Sequence, residues 1–99
     1  MGRIAYVNGR YGPHAEAAVH IEDRGYQLAD AVYEVWSVFD GKLADAEGHF
    51  ARLKRSLGEL RIPEPMSRAA LTVVLREVLR RNMVREGLIY LQEIGRAHV

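Results

Sequence analysis

Cysteine is absent from this chain of 99 residues, which excludes disulfides and thiolate-bound metals and fits a reducing cytoplasm. Neither sign of charge dominates. Fourteen Lys and Arg face thirteen Asp and Glu, a formal charge of +1, whereas a nucleic-acid-binding domain gathers a cationic excess on one face. Nucleic acid is therefore not an expected partner. Long apolar runs are also missing: none approaches the roughly 18 residues of a membrane span. The opening Met1-Gly2-Arg3-Ile4 lacks the apolar stretch of a signal peptide. The expectation is a soluble, cytoplasmic chain with no membrane partner. Lysine is scarce, with only Lys42, just after the Asp40-Gly41 turn, and Lys54, beside Arg55, and both positions suggest solvated side chains.

What is present suits one small core. At 48% apolar and 27% charged residues, the chain has material for a single domain and too little for two. Ile4-Ala5-Tyr6-Val7 reads as a strand, and Asn8-Gly9 after it is suited to the positive φ angles of a tight hairpin. A loop is expected around Gly12-Pro13. The strongest strand runs from Ala31 to Phe39 and ends in a second hairpin signal, Asp40-Gly41. Its nearly continuous apolar content predicts burial on both faces. Alternation sets Tyr33, Val35 and Ser37 on one side and Val32, Glu34 and Trp36 on the other, so one of the two faces is free to serve a pocket.

From Asp45 to Leu60 the period changes. Phe50, Leu53, Leu57 and Leu60 recur at helical spacing, with Asp45 as cap and Pro63 and Pro65 beyond the end. Ser67 caps a second helix with an apolar stripe of Leu71, Val74, Leu75, Val78 and Leu79 and a wet face of Arg76, Glu77, Arg80 and Arg81. Gly87 breaks the pattern, and Leu88-Ile89-Tyr90-Leu91 reads as a strand. The sum is an α+β layout, one sheet with two packed helices.

The stretch Asp23-Arg24-Gly25-Tyr26-Gln27-Leu28-Ala29-Asp30-Ala31-Val32-Tyr33-Glu34-Val35 closely resembles the D-R-G-[FY]-x-[FL]-[GA]-D-G-[VL]-[FY]-E signature of the class IV aminotransferases. Glu47-Gly48-His49-Phe50-Ala51-Arg52-Leu53 is similar to that family's H-x-x-R-L helix, and Gly87-Leu88-Ile89-Tyr90-Leu91-Gln92 to the strand after its second helix. The three segments stand in the family's order and span nearly all of Met1 to Gln92. Tyr26-Gln27, Val32-Tyr33-Glu34-Val35 and Tyr6-Val7-Asn8-Gly9 resemble the D-amino-acid transaminases most. One departure is Ala31, where the family mostly carries glycine; its Cβ strains the backbone if that position needs positive φ.

The resemblance implies the N-terminal small domain of the fold-type IV enzymes, pyridoxal 5'-phosphate as cofactor, an amino acid and a 2-oxo acid as small-molecule substrates, and a homodimer. A transaminase needs a lysine that holds the cofactor covalently and moves a proton, an anchor for the cofactor phosphate, and a site for the substrate carboxylate. By resemblance, Arg52 is the phosphate anchor, Tyr33 helps to hold the α-carboxylate, and Val35 borders the side-chain pocket. A guanidinium suits the anchor role because its planar donors bind two oxygens and its charge does not titrate. Helix geometry alone makes Arg52 a surface cation like Arg55, and an aromatic strand residue such as Tyr33 is usually core. His49, three residues before Arg52, shares its helix face and is read as a supporting hydrogen-bonding residue. Neither Lys42 nor Lys54 suits the covalent role, which requires a partly desolvated site. In the family that lysine comes far later than Gln92, so no catalytic residue is expected here and the chain alone is expected to be inactive.

After Gln92 the family continues into a T-R-G motif. Here Glu93-Ile94-Gly95-Arg96-Ala97-His98-Val99 follows, which reads as the translation of a sequencing-library adapter. The expected division is therefore an aminotransferase domain over 1–92 and a foreign tail over 93–99. Inside the family, a branched-chain amino-acid aminotransferase or a 4-amino-4-deoxychorismate lyase is the alternative activity. From another class, the alternative is a non-catalytic small α+β interaction domain with its arginines facing an acidic partner.

Overall fold

In the computed structural model, which describes residues 2–18 and 31–94, two Asx-Gly turns organise the strands. Asn8 and Gly9 lie at φ of 50° and 90°, and Asp40 and Gly41 at 51° and 74°, the all-positive geometry whose twist matches that of a two-residue hairpin. The first turn joins β1 (Ile4–Val7) to β2 (Arg10–Pro13). The expected loop around Gly12-Pro13 is thus a strand: the tight turn sets Val7 opposite Arg10 and carries the register on to Ile4 opposite Pro13. The second turn joins β3 (Ala31–Phe39) to the short β4 (Lys42–Leu43). After two helices, β5 (Gly87–Ile94) returns antiparallel to β3, and the order across the sheet is β4-β3-β5.

The class is α+β as expected, but the strands form two sheets, not one. β1 and β2 pair only with each other among the described residues and attach to the rest through side chains. Asn82 makes the join: its Oδ1 accepts from the Ile4 amide at 2.8 Å and its Nδ2 donates to the Ile4 carbonyl at 2.9 Å. Nearby, the Arg81 guanidinium lies 4.3 Å from the centre of the Tyr11 ring, a cation–π contact.

The helices are α1 (Ala46–Glu59) and α2 (Arg68–Arg81). Asp45 caps α1 by accepting from the Gly48 amide, and Ser67 caps α2 through Oγ, accepting from the Ala70 amide at 3.1 Å. Each satisfies one of the orphan amides of a first turn. Phe50, Leu53 and Leu57 from α1 and Leu71, Leu75 and Leu79 from α2 meet Val32, Trp36, Val38 and Ile89 from the sheet. Trp36 is fully enclosed. Each such apolar side chain contributes about 1.5–3 kcal/mol when removed from water.

The helices cover one face of the sheet only. Burial along β3 alternates strictly, and Tyr33 (67% exposed), Phe39, Leu88 and Tyr90 stand on the uncovered side. The expectation of burial on both faces is therefore corrected. Its apolar content is continuous, yet both helices carry their stripes to the same side, and no described element packs on the other. Ala31 opens β3 opposite Ile94 and does not have positive φ, so its Cβ brings no backbone strain. β5 extends past Leu91 to Ile94, which places Glu93 opposite Val32.

Candidate active site

Strand alternation separates two sets of side chains on β3. On the open face, Val35 pairs across the sheet with Tyr90 and Tyr33 with Gln92. The Tyr33 and Tyr90 rings stack with centroids 5.8 Å apart and planes 17° from parallel. The stack sets two phenols beside Val35 on the open face of the sheet. This face suits a small aliphatic group, with the Tyr33 hydroxyl available to a polar end, while the Tyr90 hydroxyl donates to Gln92 Oε1 at 3.5 Å.

On the helix-covered face stands Glu34, only 3% exposed, between Val32 and Trp36. A carboxylate in that position costs several kcal/mol unless it is paired and hydrogen-bonded. Both conditions are met from α1. Arg52 Nε donates to Glu34 Oε2 at 3.1 Å, and Arg52 Nη2 donates to Oε1. His49 Nδ1 lies 2.6 Å from the same Oε1; because an ionised carboxylate only accepts, this nitrogen is the donor and carries the ring proton. The spacing of His49 and Arg52 puts both on one helix face, where α1 crosses β3.

The charges reinforce this geometry. The bonds from Arg52 hold the Glu34 carboxyl below its ordinary range, overcoming the opposing effect of burial, and His49 adds to the lowering. In return the Glu34 carboxylate holds Arg52 more firmly protonated than usual. The burial of the two partners is unequal: the Arg52 side chain is 57% exposed while that of Glu34 is 3% exposed. Arg52 gives its Nε–Nη2 edge to the protein. Its Nη1 has no hydrogen-bond partner among the described residues.

Tyr33 and Val35 thus share one face, as expected, and Arg52 is brought to the same stretch of strand from the other. No described contact joins Arg52 directly to either. Glu34 is a site residue that the sequence reading leaves aside, although alternation places it with Val32 and Trp36. A carboxylate on a core face demands a cation, and that demand is the signal that could have found it. Tyr90 carries no such signal, because only the β3–β5 register puts it opposite Val35. Lys42 and Lys54 are both exposed, as expected from the turn before one and the helix surface of the other. The part of the signature from Asp23 to Asp30 lies outside the described residues.

The sequence pattern of the family described as Amino-transferase class IV matches residues 31–95, the stretch holding every site residue above. The chain belongs to this family. It is similar to the D-alanine aminotransferase of Bacillus licheniformis, with 45% identity over 85 residues, 86% of this chain and 30% of that protein. The D-alanine aminotransferase of Staphylococcus haemolyticus is 38% identical over 87 residues, 88% of this chain and 31% of that protein. The chain therefore spans about a third of the length of these class IV relatives. Among solved structures, a branched-chain amino acid aminotransferase from T.th. with pyridoxamine 5'-phosphate superposes with a TM-score of 0.86 at 22% identity, over 96% of this chain and 33% of that one. This likeness establishes the fold, the two helices and antiparallel sheets of a class IV N-terminal domain.

Proposed function

We propose that residues 1–92 are the N-terminal domain of a pyridoxal-phosphate-dependent transaminase that moves an amino group between a D-amino acid, of the D-alanine type, and a 2-oxo acid. Residues 93–99 are read as foreign to that domain in sequence, although Glu93 and Ile94 complete β5 opposite Val32 and Ala31 and the family pattern runs to residue 95. The D-alanine preference is supported by the relatives at 45% and 38% identity. The branched-chain alternative has only a likeness of fold behind it. The same reading carries a cytoplasmic homodimer, which rests on the family resemblance alone.

The single observation that carries the reading is the state of Arg52. It is charged, held by two bonds to Glu34, and among the described residues its Nη1 has no partner. That donor set fits a phosphate monoester, which takes two parallel N–H bonds from a guanidinium. Arg52 holds the phosphate, the Tyr33 phenol donates to the substrate α-carboxylate, and Val35 borders the substrate side chain. Pyridoxal phosphate, when bound, supplies the electron sink for the carbon that loses its proton. The residues of this chain bind and orient. Neither Lys42 nor Lys54 is enclosed, so the covalent and proton-moving lysine must come from elsewhere in the enzyme and this chain alone does not turn over.

The test is to sequence the gene through the Gln92 codon and beyond, express the whole frame, and assay it with added pyridoxal phosphate. Amino transfer from D-alanine to a 2-oxo acid is the expected outcome. Activity on L-leucine and L-valine alone assigns the branched-chain reaction instead. No transfer from any amino acid sinks the proposal.

A further inference from the structure

We infer that Glu34 is a positioning residue: it sets the direction of the Arg52 guanidinium so that the outer edge presents two parallel N–H donors to a phosphate monoester. The inference rests on the phosphate-anchor reading of Arg52. A buried acid paired with a surface arginine has a plain structural explanation, in which the arginine neutralises the acid. Three features go beyond it. Glu34 takes Arg52 through both Nε and Nη2, which fixes the plane of the guanidinium and not merely its distance. The immobile partner is the buried one and the exposed partner is the one oriented, with side chains 3% and 57% exposed. His49 Nδ1 holds the same Glu34 oxygen at 2.6 Å, so the carboxylate cannot swing out with the arginine.

The arrangement has a cost that shows its purpose. The carboxylate cancels much of the charge of Arg52, so the pair attracts anions less strongly than a free arginine would. What it offers is direction, which favours an oxyanion able to accept two parallel bonds over a spherical ion. Arg55, exposed on the same helix, is the freer cation. A purely electrostatic role and a positioning role therefore predict opposite signs when Glu34 loses its charge.

The experiment is a nitrogen-detected NMR titration of this chain with inorganic phosphate, with chloride at matched ionic strength as control, on the wild type, Glu34→Gln and Glu34→Asp. In the wild type, phosphate is expected to shift the Nη resonances of Arg52 while its Nε–H signal stays put. In Glu34→Gln, one of the two acceptor oxygens becomes an NH2 donor, so one anchoring bond is lost and the other loses its charge assistance; Nε–H exchange should quicken roughly tenfold and phosphate affinity should fall about threefold or more, although the site is now one charge more positive. Tighter phosphate binding by Glu34→Gln overturns the inference, because it shows charge cancellation without positioning. Should Glu34→Gln fail to fold, Glu34→Asp decides. It keeps the charge but withdraws the carboxylate by one methylene, so weaker phosphate binding supports positioning and unchanged binding refutes it. A wild type whose Arg52 Nε–H is ordered but whose Nη signals ignore phosphate refutes the anchor reading itself, an outcome distinct from either variant result.

Discussion

Replacing Glu93 by glutamine should remove a pH-dependent loss of stability at neutral pH. Glu93 faces the helix side of the sheet opposite Val32, and neither carboxylate oxygen has a hydrogen-bond partner among the described residues. Burial, with a smaller repulsion from Glu64, pushes its pKa up from 4.5 to about 7. Below pH 4.5 the folded and unfolded chains both carry the proton and the residue costs nothing through ionisation. Between pH 4.5 and 7 the unfolded chain gives up its proton more readily, so stability falls as pH rises. Above pH 7 the loss is complete, at about 3 kcal/mol if each tenfold change in proton affinity is worth about 1.4 kcal/mol. Solvent screening of a half-buried residue and fraying at the end of β5, one residue beyond Glu93, cap that figure from above. Urea unfolding of the wild type at pH 5 and pH 8 should show the decline, and Glu93→Gln should abolish it while adding a pH-independent cost for its buried amide. An unchanged decline in the variant would show that Glu93 is not its source.

Glu34 works in the opposite direction to Glu93: its depressed pKa adds stability that is present above pH 4.5 and lost as pH falls through the folded value, so Glu34→Gln should flatten the acid limb of the unfolding curve. Leu57→Ala, in a side chain only 2% exposed, should cost about 2–5 kcal/mol in denaturant unfolding; a loss under about 1 kcal/mol would contradict the packing described. Asn82→Ala removes both bonds to Ile4 and should cost about 1–3 kcal/mol, with the Ile4 amide exchanging faster than those of β5. Leu88→Lys, at a position 70% exposed, should change stability by no more than about 0.5 kcal/mol while reducing self-association in sedimentation, since it breaks up the open apolar face.

The elements are legible because their signals are local. Asn8-Gly9 and Asp40-Gly41 demand positive φ, Asp45 and Ser67 offer caps, and the spacing of Phe50, Leu53 and Leu57 names a helix face without reference to any other segment. β2 escapes a reading of this kind because Arg10-Tyr11-Gly12-Pro13 has little strand character of its own; the register imposed by the preceding turn makes it a strand. Tyr33 and Val35 are readable as face-sharing residues from strand alternation alone, whereas the anchor role of Arg52 comes only from the family resemblance, since helix position by itself makes it a surface cation.

By itself, then, the sequence determined β1, β3, β5 and both helices, the side of β3 on which each residue falls, and the family. Only the tertiary structure decided which face the helices cover, that Tyr90 stacks on Tyr33, and that Glu34 reaches both His49 and Arg52. Helical and strand periods are properties of neighbours a few residues apart, whereas those pairings join positions 15, 18 and 57 residues apart. Their geometry depends on strand register and on the angle at which a helix crosses a sheet, and neither is encoded in any one segment.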